Sequence, residues 1–184
     1  MKKYTKNNRF NLFDLLRLIA ATLVIYSHSY PLLGITPPDI VTRILPFTNG
    51  GTLGVWIFFI ISGYLNTKSI KNNNAFAFLI NRSLRIFPGL VVALLFSIFV
   101  IGPLCTNLPM SDYFINHKTW QYIHQNLFLS PNYILPGVFD GNRFKSVVNG
   151  SIWTLPTEAL LYLTLPLIVK IFPDYQHTSA RLIW

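Results

Sequence analysis

Between Ile86 and Leu104 the chain reads IFPGLVVALLFSIFVIGPL, 19 residues without one ionisable side chain. About 20 mostly apolar helical residues are what it takes to cross the hydrocarbon core of a bilayer. Inside lipid a helix bonds all its backbone groups within itself, which is why such runs are read as spans. Burial in a soluble core is the competing explanation, and composition removes it. The 184 residues are 52% hydrophobic and only 11% charged, far more apolar surface than a domain of 21.1 kDa can hide. The same figures exclude disordered, collagen-like and disulfide-stapled chains. The one cysteine, Cys105, cannot form an internal disulfide.

Three further apolar stretches accompany the first. The sequence therefore predicts an all-α, multi-pass transmembrane helix bundle of about four spans, at 12–33, 52–68, 86–104 and 155–172. Loops 34–51 and 106–150, rich in Gly, Pro and Asn, are expected on the outer side. Residues 120–139 are aromatic but interrupted by Pro131 and Pro136, and are expected to lie at the membrane surface, where Trp and Tyr favour the headgroup level. Neither an internal repeat nor a low-complexity run is present.

Charge sets the orientation. With the N-terminus inside, Lys2, Lys3, Lys6, Arg9, Lys68, Lys71, Arg82, Arg85, Lys170 and Arg181 are cytoplasmic, ten of the fifteen Lys and Arg. Arg43, Lys118, Arg143 and Lys145 fall outside, and Arg17 within the first span. That bias puts both termini in the cytoplasm. Arg17 also breaks the apolar region a cleaved signal peptide needs, so the first span reads as a permanent anchor. A net charge of +9 raises nucleic acid as a partner, but no basic, aromatic-interleaved soluble domain exists to bind it.

Ionisable groups within spans are costly and mark function by default. Arg17 and His28 are eleven residues apart, three turns plus roughly 20°, and share one helix face about 16.5 Å apart in depth. Glu158 enters the fourth span from the outer side, which puts it level with His28. A carboxylate there can fix the imidazole tautomer of a histidine acting as general base. Arg82 and Arg85, at the inner entrance of the third span, join Arg17 in a rim suited to phosphate oxygens. Each has a structural counterpart: Arg17 snorkelling or paired with Asp14, His28 bonded to a backbone carbonyl, Glu158 at a helix N-terminus, Arg82 and Arg85 as inner anchors. Gly54, Ser62 and Gly63 give the second span a small-residue side, for close packing first and for a ligand second.

Four segments in order resemble the integral-membrane acyltransferase-3 family. They are FDLLRLIAATLVIYSHS with its Arg17 and His28, LGVWIFFIISGYL, NRSLRIFP with Arg82 and Arg85, and SIWTLPTEALLYL with Ser151, Trp153 and Glu158. The resemblance implies a membrane O-acyltransferase taking an acyl group, commonly acetyl, from acyl-CoA to a hydroxyl of a carbohydrate or cell-envelope glycan. It implies a catalytic pair, His28 and Glu158, and a donor site formed by Arg17, Arg82, Arg85, Ser62 and Gly63, with no metal. The expected setting is the inner cell membrane. Family bundles carry more spans than a chain of this length can, so residues 1–184 read as the N-terminal part of such a domain. The readings that compete are a multi-pass transporter or export component, since intramembrane Arg, His and Glu also suit proton relays, and an inactive remnant.

Overall fold

The computed structural model describes residues 12–34, 39–71 and 74–171. Four helical stretches in it are long and apolar enough to cross a membrane: Leu12–Leu33, Gly50–Ile70, Ala75–Cys105 and Gly150–Ile171. The chain is an all-α, multi-pass helical protein, as its hydropathy predicts. Lys2, Lys3, Lys6, Arg9 and Arg181, which weigh in the charge bias, lie outside the described residues, as does residue 172.

The chain divides into two compact units, Met1–Leu65 and Asn66–Trp184. In the first, α1 (Leu12–Leu33) packs against α3 (Gly50–Lys71), with a short α2 (Ile40–Ile44) between them. The two long helices run antiparallel, Phe13 meeting Tyr64 at one end with ring centroids 5.5 Å apart and His28 meeting Gly51 at the other. Gly54 sets the approach: a Cβ there would sit 2.6 Å from the Ala20 carbonyl oxygen and 2.8 Å from Val24 Cγ2. Close packing is thus the job of Gly54, while at Gly63 an added Cβ would meet nothing within 4 Å. The small-residue side of this helix therefore has two different functions along its length.

The second unit is built around α4 (Ala75–Phe96), which continues through a π-helical segment (Ser97–Ile101) into α5 (Gly102–Cys105). Its N-cap is Asn74, whose side chain accepts from the Ala77 N–H at 2.7 Å. The helix starts eleven residues before the expected Ile86, and Pro88 lies inside it. Arg82 and Arg85 therefore stand within the helix, two to three turns from its start, and not at its mouth.

The π segment has a local cause. In an i→i+5 pattern the Gly102 N–H reaches the Ser97 carbonyl, and the Ile98 carbonyl would need residue 103, which is a proline without an N–H. Tyr113 supplies the missing donor, its hydroxyl reaching Ile98 O at 3.1 Å, and the lack of a side chain at Gly102 leaves room for its ring.

α6 (Met110–Ile115) and α7 (His117–Leu127) follow, then an irregular stretch to a 3-10 turn (Gly150–Trp153) that leads into α8 (Thr154–Ile171). Residues 120–139 pack onto the long helix. Tyr122, Asn126, Leu135 and Val138 are fully buried, packed with Leu90, Leu94 and Ile98 of the long helix. Asn126 secures the loop: its amide nitrogen donates to Asn132 O at 2.8 Å and its oxygen accepts from the Asn132 N–H at 3.0 Å. Trp120 and Phe128 remain exposed. α8 runs antiparallel to α4, with Phe78 against Tyr162 at one end and Leu90 in a cluster with Ile152 at the other.

Candidate active site

In the first unit, His28 is exposed on α1, and its Nδ1 lies 2.8 Å from the Val24 carbonyl oxygen one turn back. A carbonyl can only accept, so Nδ1 carries the proton and Nε2 is the basic nitrogen. The tautomer-fixing role expected of Glu158 is thus filled by the helix's own backbone. Gly51 gives the ring its place: a Cβ there would approach His28 Cε1 to 3.1 Å. Arg17 pairs with Asp14 at 3.2 Å across one turn, both side chains substantially exposed. Ser62 and Gly63 lie at the Arg17 end of the α1–α3 pair, because Tyr64 packs on Phe13.

A buried carboxylate lies at the same end of the α1–α3 pair as His28. Asp39 is buried and accepts from Thr42 N at 2.8 Å, Thr42 Oγ1 at 2.8 Å and Gly50 N at 2.9 Å, capping α2 and tying it to the start of α3. Burial alone would raise its carboxyl, but hydrogen bonds from Ser27, Thr42 and Gly50 outweigh that and hold it at about 2. The signal in the sequence is the Asp-x-x-Thr spacing of an N-cap, D39 to T42.

In the second unit, Arg85 and Glu158 line one cavity of about 420 Å³. Asn149, Ser151 and Thr154 supply further polar groups, and Gly89, Leu90, Ala93 and Leu155 an apolar wall. Reading the spans from sequence puts Glu158 at the outer end of its helix and the two arginines at the inner end of theirs. The structure corrects this: the long lead of α4 and the 3-10 turn before α8 bring carboxylate and guanidinium to one level. No ion pair joins them among the described residues; the cavity separates their roles from simple charge pairing.

Arg82 and Arg85 part company. Arg82 is half-buried, its guanidinium 5.3 Å from the centroid of Phe78 and 5.9 Å from that of Tyr162, with Nη2 donating to Ser69 Oγ at 3.1 Å. Its Nε is buried without a hydrogen-bond partner. Three residues apart on a helix, the two side chains diverge by about 60°, enough to send one between rings and the other to the cavity. Tyr162, absent from the sequence-based candidates, donates its hydroxyl to Glu158 Oε1. Its signal was the i,i+4 spacing on one helix.

The acyltransferase domain family matches residues 10–184. An O-acetyl transferase of Shigella phage Sf6 is 34% identical over 158 residues, 85% of this chain and 45% of that protein. Nodulation protein 10 of Rhizobium leguminosarum bv. viciae is 34% identical over 180 residues, 94% of this chain and 48% of that protein. The chain spans about half the length of these curated relatives. No solved structure matches it significantly. With the family match running over nearly all of its length, the chain belongs to the acyltransferase-3 family.

Proposed function

We propose that this protein works as a membrane O-acyltransferase, moving an acetyl-sized acyl group from acyl-CoA to a hydroxyl of a carbohydrate in the cell envelope. The family and a relative named as an O-acetyl transferase support the reaction class. The observation that carries the mechanism is the His28 ring, whose Nδ1 is committed to Val24 while the exposed ring leaves Nε2 to act as base. Nε2 takes the proton of the acceptor hydroxyl as its oxygen bonds to the thioester carbonyl carbon. The carbon–sulfur bond breaks, and the departing CoA sulfur takes the proton back from the imidazolium.

Guanidiniums are the groups of this chain suited to the donor's phosphates. Arg85 has an exposed side chain for this task in the second unit, where Arg82 adds a desolvated charge held between rings; in the first unit Arg17 offers a half-buried guanidinium paired with Asp14. Ser62 and the open side of Gly63 leave room for the pantetheine arm along the second span. Glu158 contributes a carboxylate to the cavity in the second unit. The donor arrives from the cytoplasm, the protein sitting in the inner membrane with both termini on that side.

Transfer of radiolabelled acetyl from acetyl-CoA to envelope glycan, in membranes carrying the whole protein, tests the proposal. His28→Ala is expected to lower the rate by about 10²–10⁴, the usual contribution of a positioned general base. Glu158→Gln is expected to lower it comparably. Normal transfer by both variants, at wild-type protein levels, overturns the assignment.

A further inference from the structure

We propose, building on the role just given to Glu158, that Tyr162 is its positioning residue and that Arg82 holds Tyr162 in turn. A glutamate side chain at a cavity wall has three rotatable bonds and loses its aim unless something fixes an oxygen. Tyr162 does so. Its phenol donates to Oε1, which ties the carboxyl group to α8 at the place where Glu158 lines the cavity.

The donor is itself immobilised. Tyr162 is 4% exposed, and the Phe78 ring stands edge-on to it at 6.2 Å and 89°. The Arg82 guanidinium lies over both rings, 5.9 Å from Tyr162 and 5.3 Å from Phe78, and is anchored from the other side by Ser69. A cation over the face of a partly desolvated ring resists any swing of that ring. The chain of contacts thus runs Ser69, Arg82, Tyr162, Glu158, cavity. Arg82 on this reading acts through Tyr162, which explains why it faces rings while Arg85 faces the cavity.

The test needs no substrate at first. Infrared spectra of the whole protein in lipid nanodiscs assign the Glu158 carboxylate band by its loss in Glu158→Gln. Tyr162→Phe keeps the ring, the Phe78 contact and the Arg82 stack, and is expected to shift that band. On the Glu158→Gln background the same change leaves the carboxylate region untouched. Should Tyr162→Phe fold poorly, replacing Tyr162 by a fluorotyrosine, which alters only the hydroxyl's strength as a donor, is expected to move the same band. A band that stays in place in a folded variant overturns the proposal. With acetyl-CoA as probe, Tyr162→Phe is expected to lower turnover of thiol release roughly ten- to a hundredfold, the scale of one hydrogen bond to a charged group, with KM unchanged. Inactive Glu158→Gln beside a fully active Tyr162→Phe overturns the positioning role alone. A fully active Glu158→Gln overturns the functional reading of Glu158, while the band shift stands on its own.

Discussion

The two units hold their intramembrane arginines in different ways. In the first, Arg17 turns to Asp14 and His28 to Val24, each within one turn of its own helix, and of α1 only Ala20 is buried. In the second, Arg82 is held by Ser69, Phe78 and Tyr162 from neighbouring turns and helices, and the unit has an extended core around Leu94, Ile98, Tyr113 and Tyr122. A helix with few neighbours must settle its own polar groups, and so can present a reactive nitrogen on an open face. A helix inside a packed cluster lets its neighbours aim its side chains, and so can shape a cavity. His28 and the cavity lined by Arg85 and Glu158 belong to different units.

That contrast can be broken at the points each unit depends on. The first rests on one backbone approach. Gly54→Leu, with no space between Ala20 O and Val24, is expected to cost about 3 kcal/mol or more and to separate α1 from α3, read as a lowered melting temperature in detergent. Gly63→Ala on the same helix sharpens the point, since open space there predicts a change within about 0.5 kcal/mol.

The second unit spreads its stability over many contacts, so single losses are smaller. Tyr113→Phe strips the Ile98 carbonyl of its donor beside Pro103 and is expected to cost about 1–3 kcal/mol, measured the same way. The phenol is well suited to this task, because burial and then the neighbouring Tyr122 push it up to about 12 and keep it protonated.

One effect is confined to acid. Asp39 sits at about 2 in the folded chain against an ordinary 3.8, so its contribution is complete above about pH 4 and is lost as pH falls towards 2. Melting temperature is expected to drop across that window in the native protein and to lose that slope in Asp39→Asn. An unchanged slope would mean the cap does not hold the first unit together.

The candidate residues could be named without coordinates, and those that were not share a cause. His28, Arg17, Arg85 and Glu158 stand out because a charge in an apolar run is expensive wherever it points. Tyr162 does not, since an aromatic in such a run is ordinary until its hydroxyl is seen on a carboxylate. Arg82 looked equivalent to Arg85, and only the rings of Phe78 and Tyr162 separate them. The aromatics of residues 120–139 do not reveal that Tyr122 is completely buried, because α7 has a helix to pack on that hydropathy does not register.

Sequence by itself determined that this is an α-helical membrane chain with four long apolar helices, for hydropathy is a sum over neighbouring residues and the hydrocarbon thickness fixes how long the sum must run. Tertiary structure alone decided the contacts between helices: Ser69 and Tyr162 for Arg82, and the cavity that Arg85 shares with Glu158. Lipid tails are as apolar as leucine, so hydrophobicity carries little information about how two spans slide against each other. That register follows from close contacts such as Gly54 on Ala20 and from where α4 begins, and it is the register that chooses which polar atoms meet.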